Sequence, residues 1–204
     1  MGGELSNGLA VHGIENSELP LVQFELLKLD GGLLLENPNK VGVANLVTDL
    51  MSRGTANKTP EELEEAIDEL GANINITSGR QSISITETLF HENYAKTMTL
   101  VQEMLLQPRW DETEFELAKQ STLSQIAAQS ANPNSIATNT YNKLLYGEEN
   151  ILSNNPIGTV SSVESITIDD LKTYYENNFS PNLCKLSCSW VNHSKRSFEL
   201  SRRN

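Results

Sequence analysis

The segment G-V-A-N-L-V-T-D-L-M-S-R-G-T, residues 42–55, marks the point where the sequence changes from strand-like to helix-like periodicity. Its apolar residues recur at helical spacing, at Val43, Leu46, Val47, Leu50 and Met51. Gly54 then supplies a residue that commonly ends a helix, so the spacing predicts a helix over 41–53. Four polar residues of this segment have the spacing i, i+3, i+4 and i+7 and therefore share one helix face: Asn45, Thr48, Asp49 and Ser52. The simplest interpretation is that this face is solvated.

Strands are predicted on both sides of this helix, with a second helix between them. Leu9 and Val11 indicate a short first strand, and the alternation that begins at Val22 predicts a second strand running toward Leu29. Thr59-Pro60-Glu61-Glu62 has the pattern of a capping box with proline at the first helical position. Two alternating runs around Ser78-Gly79-Arg80 then predict a hairpin.

The second half of the chain is predicted to be mainly helical. Helices are expected over 91–106 and 111–130, from a cap at Ser135 to Leu145, and from Thr167 onward, before a last strand. Strands and helices therefore follow one another without strict alternation. This order predicts an α+β domain with a mostly antiparallel sheet covered by helices.

The two cysteines lie in the last predicted strand. Cys184 and Cys188 alternate with polar residues, which places both on the inner face. Four residues of extended chain separate them by roughly 13 Å, too far for a disulfide. We expect them to pack in the core rather than to bind metal or undergo redox chemistry.

Length, composition and charge narrow the classes of function. The 204 residues suffice for one sizeable domain, which we assign to residues 1–191, with a basic tail over 192–204. A net charge of −12 argues against binding to nucleic acid. No apolar run approaches the ~18–20 residues of a membrane span, and no signal peptide is visible. We expect a soluble protein of the bacterial periplasm or cytoplasm, as an excised or truncated part of a longer chain.

Several short segments, in order and spacing, resemble the insulinase/pitrilysin family of zinc peptidases. In that family the zinc-binding helix has the motif G-x-A-H-x-x-E-H, which is followed by four residues and then by G-T. The helix segment here matches this pattern at Gly42, Ala44, Gly54 and Thr55. The run over residues 59–72 is also similar, as are Asn7-Gly8-Leu9, Tyr146-Gly147 and Ser180-Pro181-Asn182. The resemblance covers roughly residues 5–191 and implies the α+β fold of those peptidase domains.

The resemblance also implies which positions would carry the zinc chemistry. In register with the motif, Asn45 replaces the first histidine, Thr48 the glutamate base and Asp49 the second histidine, while Gln125 falls near the third ligand, a glutamate. Zinc needs at least three good ligands, and a carboxylate must activate its bound water. Asn45 is a weak ligand, and Thr48 is no general base near neutral pH. The family pattern further implies that this helix face looks into a cleft.

Other candidate residues add no site. His12, His91 and His193 show no ligand spacing to one another or to the helix, and His91 is expected to begin a helix. The acidic residues Glu61, Glu62, Glu64 and Glu65 suit an exposed helix start, where the helix dipole favours negative charge. We therefore predict no catalytic residue, no metal site and no cofactor in this chain.

The resemblance implies a non-catalytic role. Family members are built from homologous domains that enclose a chamber, and only one of them carries the metal. We expect this chain to pair with a catalytic zinc-peptidase domain or subunit, to help enclose a peptide and to be able to form a homo-oligomer such as a dimer. Two alternatives remain at this stage: an active zinc metalloendopeptidase with displaced ligands, and a non-proteolytic assembly subunit of a larger complex.

Overall fold

A six-stranded sheet with helices packed against it forms the fold in the computed structural model. The structure describes residues 2–4, 10–15, 21–29, 31–179 and 184–190. The strands are β1 (Gly2–Glu4), β2 (Ala10–Glu15), β3 (Leu21–Leu29), β4 (Asn73–Ser78), β5 (Ser82–Phe90) and β6 (Cys184–Trp190). The helices are α1 (Val43–Met51), α2 (Pro60–Glu69), α3 (Tyr94–Leu106), α4 (Glu112–Ser130), α5 (Pro133–Tyr146), α6 (Val160–Ser165) and α7 (Ile168–Asn178).

The sheet has the order β1-β2-β6-β3-β5-β4 and is mostly antiparallel, as the sequence predicts. Within the described strands β2 pairs with β6 in parallel, while the other four pairings are antiparallel. The strand β6 returns from the end of the chain and is inserted between β2 and β3. The two ends of the domain are therefore joined in the middle of the sheet.

The helix α1 lies at the centre of the core. Its residues Leu46, Val47, Leu50 and Met51 are fully buried, and it packs against β4, α4 and α7. A helix that is apolar on most of its surface has to be enclosed by other elements. Leu63, Ile83, Met104 and Leu171 supply buried contacts from the surrounding elements.

Most predicted elements are present, and the capping residues explain their boundaries. Thr59 accepts a hydrogen bond from the Glu62 backbone while the Glu62 carboxylate accepts one from the Thr59 N–H, which confirms the capping box. Thr167 caps α7 in a similar way through Asp170. The four glutamates at the start of α2 are exposed, as expected.

Some sequence predictions were wrong. The cap of α5 is Asn132 and not Ser135, because the Asn132 side chain accepts hydrogen bonds from the Asn134 and Ser135 backbones while Pro133 opens the helix. The expectation that His91 begins a helix is met by a 3-10 helix, His91–Asn93, which runs directly into α3. The buried residues of α3 are Thr97, Leu100, Val101 and Met104. The sequence predicted neither β1 nor α6.

Several predictions concern parts of the chain outside the described residues. These are the packing of the Cys184 and Cys188 side chains, the strand residue Leu9, His193 and the tail over 192–204. The backbone of the last strand is described and runs over Cys184–Trp190. No helix within the described ranges is both long enough and apolar enough to cross a membrane.

A buried glutamate lies on the helix-covered face of the sheet. Glu87 is 2% exposed, alternates with the buried Ile85 and Leu89, and is opposite Phe24 and Ile74 on the neighbouring strands. Neither of its carboxylate oxygens has a hydrogen-bond partner among the described residues. Burial raises the pKa of Glu87 to about 8, since an apolar environment disfavours the charged form.

This burial predicts a pH-dependent cost to stability. Between the ordinary pKa of 4.5 and about 8, the unfolded chain has lost the Glu87 proton while the folded chain keeps it. The free energy of unfolding should therefore fall as the pH rises through this window. Glu87→Gln is expected to remove the Glu87 part of that fall and to leave the part due to Glu36, whose pKa is raised to about 7. The variant should therefore gain roughly 2–4 kcal/mol over the wild type between about pH 5 and about pH 9.

Urea denaturation at both pH values measures this difference. Glu65→Gln, on the exposed face of α2, is the matched control and should follow the wild type. An unchanged pH dependence in Glu87→Gln would show that Glu87 is solvated or paired in the folded protein.

Candidate functional site

The beginning of α1 is fixed by a carboxylate from another part of the chain. Its N-cap is Gly42, which offers no side-chain cap and has a φ of 110°. The buried Glu36 fills that role, since its two oxygens accept hydrogen bonds from the Gly42 and Ala44 N–H groups at 2.8 and 2.6 Å. Burial raises the pKa of Glu36 to about 7, although these two hydrogen bonds act in the opposite direction.

The retained motif residues all have structural reasons to persist. A Cβ on Gly42 would lie 3.0 Å from the Ile157 carbonyl oxygen, and Ala44 is fully buried. Gly54 has a φ of 105°, and a Cβ there would lie 2.8 Å from the Lys58 carbonyl oxygen. These positions therefore accept only very small residues, whether or not a metal is bound nearby.

The last motif residue ties the end of this segment to α3. The buried Thr55 hydroxyl donates to the Glu103 carboxylate at 2.6 Å, and the Lys58 ammonium lies 2.7 Å from the other oxygen of that carboxylate. The Lys58 and Thr55 hydrogen bonds together hold the pKa of Glu103 below its ordinary value. This cluster anchors α1 at its C-terminal side, as Glu36 anchors it at the other.

The positions that the motif assigns to zinc chemistry share one face of α1. Thr48 is 3% exposed and its hydroxyl donates to the Asn45 carbonyl oxygen at 3.0 Å. Asn45 and Asp49 are half-buried, and only Ser52 is exposed. The interpretation of these four residues as a solvated polar face was therefore wrong for Thr48, because α1 is enclosed too deeply for the whole face to reach water.

Asp49 is already paired with a cation that follows the end of α1. The Arg53 Nε lies 3.0 Å from Asp49 Oδ1, and Arg53 Nη1 lies 3.4 Å from Glu114 Oε2 on α4. Arg53 thus links the second ligand position of α1 to α4. Neither Arg53 nor Glu114 was predicted to lie at this site, although the i, i+4 spacing of Asp49 and Arg53 is a recognisable signal of an ion pair.

Gln125 is not joined to the other three motif positions by any hydrogen bond in the described part of the chain. It is exposed on α4, three residues beyond the buried Thr122. Glu114, which contacts Arg53, lies 11 residues earlier and therefore about 16 Å back along the helix axis. Asn45, Thr48 and Asp49 thus lie together on α1, and Gln125 lies on α4, a helix that packs against α1.

The residues at these positions do not fit a zinc ion. They offer a neutral amide, a buried hydroxyl, a carboxylate paired with arginine and a second neutral amide. No group of three or more His, Cys, Asp or Glu side chains capable of holding a metal occurs among the described residues. His12 is exposed on β2, and His91 lies in the turn before α3. We therefore assign no reaction step to a metal here.

Comparison with known proteins gives the family. The model of the insulinase family, peptidase family M16, matches residues 25–154, which include all of α1 and α4. A Helicobacter pylori protein named non-peptidase homolog YmxG is 24% identical over 168 residues, covering 82% of this chain and 38% of that protein.

Solved structures share the fold. A peptidase M16 inactive domain from Pseudomonas fluorescens has a TM-score of 0.89 at 20% identity, covering 98% of this chain and 48% of that chain. The periplasmic protease PqqL of Escherichia coli has a TM-score of 0.87 at 20% identity, covering 100% of this chain and 23% of that chain. This chain thus spans less than half the length of the relatives named here. The chain belongs to the insulinase family, peptidase family M16, and its similar proteins include members of the inactive type.

Proposed function

We propose that this chain is a non-catalytic M16 domain that pairs with a catalytic zinc-peptidase domain or subunit, helps to enclose a chamber and helps to hold peptide. The observation that carries the proposal is the selective change on α1. The small residues that fix its backbone are kept, while the zinc-ligand and base positions hold Asn45, Thr48 and Asp49. This pattern suits a domain used for its shape and contacts.

The chemistry of α1 supports a role without hydrolysis. The Thr48 hydroxyl is buried and engaged with a backbone carbonyl, so it has neither the pKa nor the access of a general base. The Asp49 carboxylate forms an ion pair with the Arg53 guanidinium. We therefore propose that the chain needs no cofactor and that zinc belongs to the partner alone.

The edge of the sheet supports a role in holding peptide. Within the described sheet β4 is an edge strand that pairs with β5, and α1 packs against it. An edge strand presents unpaired backbone groups, to which an extended peptide can add as a further strand. The exposed side chains of Asn73, Asn75 and Thr77 keep this edge polar. A peptide bound here would run beside the degenerate motif.

Mixing with a catalytic partner tests the pairing. We expect this chain to raise the rate at which an H-x-x-E-H-containing M16 protein of the same organism cleaves a quenched fluorescent peptide. The expected increase is about tenfold or more, because a completed chamber positions the substrate. Bovine serum albumin at the same concentration is the control for non-specific effects. A rate that is indifferent to this chain with every such protein would refute the proposal.

Titration with an unstructured peptide tests the edge strand. NMR amide shifts should change most at Asn73–Ser78 and least at β1, on the opposite edge of the sheet. We expect weak binding by the isolated chain, so the shifts should move gradually as peptide is added. Thr77 is exposed and lies opposite Ser84 on β5, so Thr77→Pro should distort the edge strand and weaken binding. Shifts confined to other elements would argue against peptide binding at β4.

Restoring the ligands tests the assignment of the motif positions. Asn45→His, Asp49→His and Gln125→Glu together should bind zinc near one equivalent, while the wild type should bind far less. Thr48 is left unchanged because a buried glutamate would cost stability. The double variant that retains Gln125 is the matched control and should bind zinc more weakly. Equal zinc content in both variants would show that Gln125 is not the third position, and one removable equivalent in the wild type would favour displaced ligands.

A further inference from the structure

The helix α5 has its polar side turned toward the protein and its apolar side turned outward. Asn142 is buried, and Ser135 and Asn139 on the same side are half-buried. Four apolar residues on the other side are exposed instead: Ile136 50%, Tyr141 61%, Leu144 81% and Leu145 56%. A surface helix normally shows the reverse arrangement. We call these four residues the outer face of α5.

The polar inner side of α5 has a clear structural reason. Asn139 and Lys143 line a cavity of about 250 Å³ together with Gln129, Ser130 and Asn155, which are polar as well. The amide of Asn155 donates to Gln129 at 2.6 Å, so part of this polar lining is held by a hydrogen bond between the Asn155 loop and α4. The described residues therefore leave the outer face exposed and do not bury it in the core. Contiguous exposed apolar residues of this kind mark interaction sites.

A second copy of this chain is a poor occupant for the outer face. Each copy carries a net charge of −12, and the exposed Glu148 and Glu149 follow α5 directly. The 14 residues of α5 give a helix about 21 Å long. Such a strip offers less than the ~800 Å² per partner of a standard stable interface. A partner that also contacts the chain outside α5, and that lacks this negative charge, therefore suits the outer face better than a second copy does.

The lengths of similar proteins indicate where that surface comes from. This chain covers 48% of the Pseudomonas fluorescens chain and 38% of the Helicobacter pylori protein, so those proteins have at least as many further residues. We propose that the outer face of α5 packs against a second M16-type domain, through a surface that is apolar at its centre and basic where it meets Glu148 and Glu149. This inference rests on the proposed function, because the second domain is the partner proposed there.

Two surface variants test the inference with the whole chain. Leu144→Glu places a charge at the most exposed residue of the outer face, and Leu106→Glu makes the same change at an exposed residue that ends α3. Both residues are exposed, so both variants should fold, which circular dichroism and thermal melting check. The probe is each H-x-x-E-H-containing M16 protein of the same organism.

Analytical ultracentrifugation measures the affinity for each probe. We expect Leu144→Glu to weaken the complex about tenfold or more, and Leu106→Glu to leave it unchanged. Hydrogen exchange should show α5 protected in the wild-type complex. If Leu144→Glu does not weaken the complex and α5 is not protected in it, the inference is wrong but the proposed function stands. If the wild-type chain associates with itself and Leu144→Glu abolishes that association, the inference is also wrong, because the outer face then binds a second copy of this chain.

The remaining outcomes separate the two ideas. A complex that depends on Leu144 but does not alter proteolysis by the partner supports this inference and refutes the proposed function. The absence of any complex with these proteins overturns both.

Discussion

The buried carboxylate of Glu36 fixes the start of α1, and much of the domain is packed around that helix. Gly42 has the backbone conformation needed to enter the helix but has no side chain to cap it. Glu36 satisfies two of the N–H groups that every helix leaves free at its beginning. Because α1 contacts β4, α4 and α7, an error in its position would displace the core on three sides. The same contact sets where Asn45, Thr48 and Asp49 lie, because all three are on α1.

Two kinds of constraint act on the residues of this helix, and they separate clearly. Gly42 and Gly54 are restricted by backbone conformation, and Thr55 by its contact with α3, independently of any metal. Asn45, Thr48 and Asp49 lie where the family motif has its ligands and base. The packing at these three positions asks only for side chains of suitable size and polarity. This explains how a sequence can keep the outline of the motif without its ligands.

The ion pairs of Arg53 link α1 and α4, but they are not an energetic equivalent of a bound metal. The side chains of Asp49, Arg53 and Glu114 are each 20–33% exposed. Partly exposed pairs contribute about 0–1 kcal/mol, whereas structural zinc contributes on the order of 10 kcal/mol. The contact between the two helices therefore depends mainly on apolar packing, to which Phe115 and Ala118 contribute from α4.

Local sequence signals predicted the elements well where a single residue type decides the outcome. The capping box at Thr59, the apolar periodicity of α1 and the hairpin all follow from short-range chemistry. The failures have a different origin. The cap at Asn132 was missed because Ser135 offers a competing signal three residues later, and α6 is too short to show a period. Glu36 and Glu87 were missed because a carboxylate in a loop or strand gives no sign of burial, which is decided by distant parts of the chain.

The arrangement of α5 shows why such distant effects also limit the prediction of function. Its sequence alone gives an apolar stripe, from which one would place Leu144 inside and Asn142 outside. The structure reverses this because the neighbouring surface of α4 and the loop around Asn155 is polar and selects the polar side of the helix. The core around α1 is complete without α5's apolar residues, whereas the outer face is left exposed by the described residues. On the proposal made for α5, folding and association would depend on separate sets of apolar residues in this domain. Periodicity marks both sets as apolar stripes and does not tell them apart.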